Sequence, residues 1–287
     1  MLLRLVHDFR RAMDLSLVLD QEGIAHELRA ISGEQWTLEI GDADAGRAEA
    51  ALAAFERENP FPARHARPQP AAGEGIAAGV IFGLALLALH VWTGPESDNA
   101  WFARGSAEAA QIVRGEWWRA ITALTLHADA GHAAGNALLG GLLLTLLARR
   151  LGAGVASWAM LLAGVLGTVA AAQLMRRHFI SVGASTAVFG ALAELAALQA
   201  ADPEERRRAW IPLGAGLALL GFLGSSKHAD LAGHLFGFAA GVLLGLVIAR
   251  LPRLRSTPLQ IALAACAAAV PLAAWLRAFG HLTKWPW

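Results

Sequence analysis

Two short segments contain a serine and a histidine in positions where they could act together. Ser185 follows a glycine by two residues in VGASTAVFG (residues 182–190), and His234 follows Asp230 by four in HADLAGHLFGFAAG (residues 228–241). A serine hydroxyl becomes an effective nucleophile when a neutral imidazole accepts its proton. Both residues open apolar segments, and a polar group at membrane depth is costly unless it is paired or functional. We interpret them as a nucleophile and its general base.

Four further residues are candidates for the same site. His132 and Asn136 are four residues apart and therefore share a helix face. Attack on a carbonyl creates an oxyanion that needs preorganised donors, which is the task we assign to these two side chains. Gly183 permits close backbone approach beside the serine. Phe189 lies one turn beyond Ser185, where its ring could pack on the imidazole or simply fill the core, and the sequence leaves both open.

The composition indicates a polytopic membrane protein. Of the 287 residues 56% are hydrophobic, and several apolar runs approach the roughly 20 residues that cross a hydrocarbon core. A formal net charge of +1 gives no sign of nucleic-acid binding. The single cysteine, Cys266, lies in an apolar run, so neither an intramolecular disulfide nor a thiolate metal cluster is expected.

Seven apolar segments are predicted to be membrane spans, and the fifth is short. They cover residues 76–92, 130–148, 155–175, 183–199, 211–223, 230–249 and 259–277. Basic residues alternate between the short loops that join them. One set of loops holds Arg149, Arg150, Arg206, Arg207, Arg208, Arg250, Arg253 and Arg255, and the other holds Arg176, Arg177 and Lys227.

The positive-inside rule places the richer set of loops in the cytoplasm. We therefore expect a cytoplasmic amino terminus, with no signal peptide, and an external carboxyl terminus. Tryptophans near span ends are predicted to be interfacial anchors, namely Trp92, Trp158, Trp210, Trp275 and Trp285. The long external connection, residues 93–129, is rich in aromatic and aliphatic residues and is expected to hold segments lying in the interface.

This orientation brings the candidate residues to one depth. The second, fourth and sixth spans all run inward, and Ser185 and His234 each lie seven or eight residues past a basic residue. At the helical rise of 1.5 Å per residue, both are roughly 10 Å below the outer boundary. A lone serine in a span is usually a packing residue, but four polar side chains from three spans at one level favour a shared site.

Small residues provide a way for these spans to approach. The sixth span has Gly233, Gly237, Gly241 and Gly245 at four-residue spacing, which exposes a strip of bare backbone. The fourth span is the expected partner because it is rich in small residues, namely Gly183, Ala184, Ala187 and Ala191. Close packing of the two would bring Ser185 to His234.

The amino-terminal region has a different character. Residues 1–59 read as a small α+β domain, with helices over 9–22 and 44–57, strands over 25–31 and 35–40 and a possible first strand over 2–6. Residues 60–75 form a proline-rich linker. Residues 76–250 are the six-span core, and residues 251–287 add one span and a tail. No chemistry is assigned to the small domain.

The core resembles the rhomboid family of intramembrane serine proteases, over roughly residues 76–250. Its motifs appear in order: Trp118 and Arg119 in the external connection, HADAGHAAGN (residues 127–136), GASTAVFG (residues 183–190) and GHLFGFAAG (residues 233–241). The resemblance implies an all-α, six-helix core, here with an extra seventh helix. It also implies a Ser185 and His234 dyad without a catalytic acid, and an oxyanion hole from the Ser185 amide, His132 and Asn136. Phe189 would stack on His234, and His127 matches a further family histidine.

The resemblance also carries functional expectations. It implies hydrolysis of peptide bonds in single-span or polytopic membrane proteins near the outer face of a bacterial inner membrane. No cofactor, metal or nucleic acid is expected. The sequence departs from the family in having Thr186 where glycine usually follows the serine, and Phe rather than Tyr at position 189. Thr186 could narrow the site or orient water, so substrate preference is open.

Other classes of function are weaker readings. An inactive relative that escorts membrane clients would be expected to lack the serine or the histidine, and both are present. A transporter or metal protein could use the ten histidines, but His127 and His132 would diverge by about 140° on one helix. Asp230 resembles a triad acid, but it precedes His234 by four residues on one helix and is better interpreted as a cap or a solvated residue.

Overall fold

The computed structural model describes residues 2–6, 9–32, 35–59, 72–96, 99–175, 180–203, 205–223, 230–252, 254 and 256–280. The chain divides into two compact units, Met1–Pro68 and Gln69–Trp287. Most of the predicted linker, residues 60–71, lies outside the described residues. The helix that follows begins at Ala72, four residues before the predicted start of the first span.

The first unit is the α+β fold that the sequence predicts. Its elements are β1 (Leu2–Val6), α1 (Phe9–Gln21), β2 (His26–Ser32), β3 (Gln35–Ile40) and α2 (Ala45–Glu58). The antiparallel sheet has the order β1-β3-β2. Helices α1 and α2 bury their apolar faces with the sheet in a core that includes Leu15, Leu19, Leu38 and Leu52. Glu56 accepts hydrogen bonds from Arg4 at 2.5 Å and from Arg11 at 2.9 Å.

All seven predicted spans are helices in the second unit. They are α3 (Ala72–Thr93), α7 (Ala130–Leu151), α8 (Ala153–Met175), α9 (Ser185–Ala200), α10 (Trp210–Leu223), α11 (Leu231–Ile248) and α12 (Thr257–Ala278). Five of these, α3, α7, α8, α11 and α12, are long and apolar enough to cross a membrane. Helix α9 has 16 residues and starts two residues later than predicted. The helix cannot include Gly183, because this residue has a φ of +119°, outside the helical region.

Helix α9 lies at the centre of this bundle. Every residue from 186 to 197 is buried, and α9 packs against α7, α8, α10 and α11. Three glycines of the predicted strip on α11, Gly237, Gly241 and Gly245, face it, whereas a Cβ on Gly233 would meet Asp230. A Cβ added to Gly237 would lie 2.3 Å from the carbonyl oxygen of Thr186, and one added to Gly241 would lie 2.1 Å from that of Gly190. Bare backbone is therefore required at both positions.

The predicted face of α9 needs a correction. Ala187 and Ala191 do not face the glycine strip. Ala187 lies against Gly164 of α8, and Ala191 belongs to a core cluster formed with α7 and α8. The strip instead meets the backbone at 186 and 190 and, through Gly245, the region of Glu194 and Ala197. Small residues occur on both faces of α9, so composition alone did not distinguish them.

The long external connection is folded onto the bundle. It contains α4 (Ala100–Gly105), β4 (Ala107–Glu108), α5 (Ala109–Val113), α6 (Arg119–Thr122) and a 3₁₀ turn over Ala123–Thr125. Strand β4 pairs with β5 (Ile180–Ser181), which immediately precedes the nucleophile segment. The prediction of interfacial segments holds only in part. Val113 and Trp117 are exposed, but Phe102 and Ile112 are buried inside the protein.

The tryptophan predictions are mixed. Trp92 and Trp210 are exposed, as interfacial anchors would be. Trp158 is half-buried, and Trp285 lies outside the described residues. The prediction for Trp275 is wrong, because this residue is only 8% exposed and packs in a cluster with Phe102 and Leu126. Its position near a span end did not reveal the direction in which its ring points.

Candidate active site

The two residues singled out as nucleophile and base are in contact. His234 Nε2 lies 2.8 Å from Ser185 Oγ. Ser185 is the first residue of α9 and is half-buried, whereas His234, in the first turn of α11, is only 5% exposed. A neutral imidazole at this distance can accept the hydroxyl proton. The arrangement thus has the geometry of an activated serine.

No carboxylate supports the imidazole in the part of the chain that the structure describes. His234 Nδ1 is buried and has no hydrogen-bond partner there. Asp230 acts instead as the N-cap of α11, since its Oδ1 accepts the backbone N–H of Gly233 at 2.7 Å. The interpretation of Asp230 as a cap is therefore confirmed.

Phe189 and His234 form a stacked pair. Their ring centroids are 4.6 Å apart and their planes differ by 25°. Of the two positions that the sequence left open for Phe189, the structure has the one on the imidazole, and the ring is also fully buried. The contact restricts rotation of the His234 ring and keeps Nε2 directed at Ser185.

Gly183 brings the backbone before the nucleophile against His132 and Asn136. A Cβ on Gly183 would lie 2.6 Å from His132 Cε1 and 3.5 Å from Asn136 Nδ2. Asn136 is 6% exposed, and its Nδ2 has no hydrogen-bond partner among the described residues. A buried, unused donor beside a serine nucleophile is what an oxyanion hole requires before substrate arrives.

The segment that leads into Ser185 is held by the external connection. The N–H of Gly183 donates to the carbonyl of Ala123 at 2.8 Å. The N–H of Ala184 donates to His127 Nε2 at 3.4 Å. His127 is fully buried. Burial is the main reason why its pKa is lowered to about 4, and the neighbouring His132 and His90 make smaller contributions in the same direction. A neutral His127 is thus available as an acceptor throughout the physiological range.

The position of His127 contradicts the prediction that its side chain diverges from that of His132. The predicted 140° divergence from His132 requires both residues to be on one helix, but His127 precedes α7. Their ring centroids are 5.2 Å apart, and the ring centroid of His90 lies 6.5 Å from that of His127. Within the described ranges, no group of three or more His, Cys, Asp or Glu side chains is arranged to hold a metal ion.

Thr186 does not face the site as the sequence suggested. It is buried, and its Cγ2 points at the bare backbone of Gly167 on α8 and Gly237 on α11. A side chain enclosed between three helices neither narrows the space above Ser185 nor orients water there. Its role is packing, and the expectation that it crowds the nucleophile is wrong.

The remaining motif residues support the site without touching the dyad. The Arg119 guanidinium is buried and bonds Glu116 at 2.6 Å and the carbonyls of Ser106 and Ala103 at 3.0 Å each. Trp118 receives the Arg277 guanidinium over its ring at 4.6 Å. These contacts shape the external connection, while Gly237 and Gly241 allow α11 to approach α9.

Sequence reasoning missed two features, one beside the site and one farther along α9. Thr125 accepts a hydrogen bond from Trp275 Nε1 at 3.0 Å, two residues before His127. Glu194 is fully buried on α9, and neither of its carboxyl oxygens has a partner among the described residues. Glu194 was detectable as a lone acidic residue inside an apolar span. Nothing in the local sequence distinguishes the Thr125 contact, because 150 residues separate its partners.

Comparisons with known proteins agree with the motifs. Residues 114–251 match the family described as Rhomboid domain. Over 187 residues the chain is 32% identical to Rhomboid protease GluP of Bacillus subtilis (strain 168). This match covers 61% of the chain and 36% of that relative. It is 30% identical over 137 residues to Putative rhomboid protease YdcA of the same organism, covering 46% and 68% respectively. The match therefore spans only about a third of the first relative. Because the second is covered over more than two thirds of its length, the chain belongs to the rhomboid family.

Proposed function

We propose that the protein is an intramembrane serine endopeptidase that uses Ser185 and His234 as a catalytic dyad. The observation that carries the proposal is the 2.8 Å contact between Ser185 Oγ and His234 Nε2. Family membership and the two relatives named as rhomboid proteases support the same class of activity.

The first half of the reaction follows from the geometry. His234 Nε2 takes the proton of Ser185 Oγ as the oxygen bonds to the substrate's carbonyl carbon. The carbonyl oxygen becomes an oxyanion that receives hydrogen bonds from Asn136 Nδ2, His132 and the Ser185 amide. Collapse of this intermediate breaks the C–N bond, and His234 gives its proton to the leaving amine. The product is an acyl-enzyme on Ser185.

The second half reverses these roles with water. His234 takes a proton from water as its oxygen attacks the acyl carbon, and the same donors stabilise the second oxyanion. The proton then returns to Ser185 as the carboxylic acid product leaves. Phe189 holds the imidazole in place through both halves, since its ring is stacked 4.6 Å from that of His234.

The substrates are proposed to be membrane segments of single-span or polytopic proteins. The site lies at the amino-terminal ends of α7, α9 and α11, which the alternation of basic loops assigns to the external side. The ion pair of Arg150 with Glu205 joins two of the basic loops at the opposite end of the bundle. A cytoplasmic amino terminus and an external carboxyl terminus follow. We propose a substrate that enters sideways from the lipid between α7 and α10, in a bacterial inner membrane.

The deciding experiment is cleavage of a panel of single-span substrates by the purified protein. Wild-type protein should cut at least one, and Ser185→Ala and His234→Ala should each abolish cutting while retaining the wild-type unfolding temperature. Either loss removes the activated nucleophile. Turnover by Ser185→Ala above that of a mock preparation would refute the dyad.

A further inference from the structure

The seventh helix, α12, is fastened to the rhomboid core at both ends. At one end, Gln260 is buried, and its Oε1 accepts the N–H groups of Gly154 at 2.8 Å and Val155 at 3.0 Å. Its Nε2 donates to the carbonyl of Leu151 at 3.0 Å. One side chain thereby caps the end of α7 and the start of α8, and fixes α12 against both.

At the other end, the buried Trp275 reaches the external connection. Its Nε1–H donates to Thr125 Oγ1 at 3.0 Å, inside the protein. Its six-membered ring occupies the space above Gly105, where a Cβ would lie 2.2 Å from Cη2. Trp101 packs edge-on against it at 4.9 Å. Trp275 is thus locked in orientation by packing on several sides.

Thr125 lies between the two groups that hold the nucleophile segment. Its hydroxyl donates to the carbonyl of Thr122 at 2.7 Å, so the bond from Trp275 occupies the acceptor side of the same oxygen. Two residues before Thr125 is the Ala123 carbonyl, and two residues after it is His127. These are the groups that accept the N–H of Gly183 and the N–H of Ala184.

We infer that Trp275 is a positioning residue for the oxyanion-binding backbone, acting through Thr125. The bond from α12 fixes the turn at Thr125, and that turn fixes the peptides that immediately precede Ser185. The same apolar cluster includes Leu126 of this turn and Val182 of the nucleophile segment, which gives a second contact between the two. The inference rests on the proposed protease function, but its structural part can be tested without it.

The consequence is an effect on turnover rather than on substrate binding. Removing one buried neutral hydrogen bond usually changes an equilibrium by roughly 3- to 10-fold. If the loosened element is the backbone that receives the oxyanion, kcat falls by about this factor, while KM stays within about twofold. A purely structural role for Trp275 would lower the unfolding temperature and leave kcat of the folded fraction unchanged.

The experiment compares Trp275→Phe, Thr125→Val and the double variant with wild type. We expect kcat to fall by roughly 3- to 10-fold in each single variant, with no further fall in the double variant because both remove one bond. The amides of Gly183 and Ala184 should exchange with solvent faster by a similar factor. Thr125→Ser keeps the hydroxyl and should retain near wild-type kcat.

Trp101→Phe is the matched control, since it trims the same aromatic cluster without touching the bond to Thr125. It should lower the unfolding temperature but leave kcat and the two amides near wild type. The inference would be overturned if Trp275→Phe kept wild-type kcat and wild-type amide exchange. It would also be overturned if the effects of the single variants multiplied in the double variant, or if Trp101→Phe lowered kcat as much as Trp275→Phe. If Trp275→Phe does not fold, the Thr125→Val and Thr125→Ser pair decides. If wild type cleaves nothing, the proposed function fails, while amide exchange still decides whether Trp275 holds this segment.

Discussion

The methyl group of Thr186 packs against the bare backbone of Gly237. A Cβ built on Gly237 would lie 2.8 Å from Thr186 Cγ2 and 2.3 Å from its carbonyl oxygen. This contact fixes the separation of α9 and α11 directly beside the dyad, since Ser185 precedes Thr186 and His234 precedes Gly237 by less than one turn. We therefore expect the residue after Ser185 to affect catalysis through helix spacing.

Gly237→Ala should separate the two helices. The new methyl group meets backbone, which cannot rotate away, and overpacking of this kind costs about 1–3 kcal/mol. We expect a lower unfolding temperature and at least roughly a tenfold loss of cleavage, because Ser185 and His234 move out of hydrogen-bond reach. Gly214→Ala on α10 is the control, since its Cβ would meet nothing closer than Trp210 at 3.9 Å. Equal behaviour of the two variants would contradict the spacing role.

His132→Ala and Asn136→Ala should each slow cleavage by roughly 10- to 1,000-fold, because oxyanion donors act mainly in the transition state. Substrate binding should change little. A serine-directed fluorophosphonate should still label both variants, more slowly than wild type. Parallel losses of binding and rate would mean instead that these side chains hold the substrate or the fold.

Folding stability should depend on pH through His127. Its pKa is lowered from 6.5 to about 4, mainly by burial. In the unfolded chain His127 takes up a proton near pH 6.5, whereas in the folded protein it stays neutral until the pH falls to about 4. The stability present above pH 6.5 is therefore lost progressively as the pH falls through this window. Between pH 7.5 and 4.5 the unfolding temperature of wild type should fall more steeply than that of His127→Gln. Parallel plots of unfolding temperature against pH would contradict this role of His127.

The second unit should cleave without the first. A shortened chain beginning at Gln69 retains every motif and all seven helices, and the first unit has a hydrophobic core of its own. Cleavage of a generic single-span substrate should persist within about threefold, as expected when a proline-rich linker transmits little mechanical constraint. Loss of activity by a folded shortened protein would make the small domain part of the catalytic apparatus.

The scissile bond should lie near the outer end of the substrate's span. Ser185 is the first residue of α9, at the end of the helix that we propose faces outward. The depth of about 10 Å expected from the helical rise does not apply, because Ile180–Ser181 is a strand rather than part of a helix. A substrate helix hides its carbonyls in hydrogen bonds until it unwinds. Gly, Pro or polar residues near that end should favour cutting. Mass mapping of the products tests this: scission in the inner half of the span, or equal cleavage of an uninterrupted poly-Leu helix, would contradict it. We also expect a small residue before the cut bond, because Phe189 lies one turn beyond Ser185, whereas Thr186 faces away and contributes nothing to this preference.

The sequence alone predicted the elements and singled out Ser185 and His234, which are in contact in the structure. Apolar runs of span length mark α3, α7, α8, α11 and α12, and even the 16-residue α9 and 14-residue α10 were found. Ser185 and His234 were identifiable because polar residues at membrane depth are rare and costly. Asp230 was recognised as a cap because the residue types that begin helices are local signals.

Only the tertiary structure decided which way individual side chains face. Thr186, Ala187 and Ala191 lie within two turns of each other on a helix with small residues all round, so periodicity could not assign them to α8, α7 or α11. The sequence did not predict that Trp275 lies in the core, because its partner Thr125 is 150 residues away. The local sequence pattern indicates which residues of a segment are buried. Which residues they contact is determined by packing between segments that are distant in the sequence.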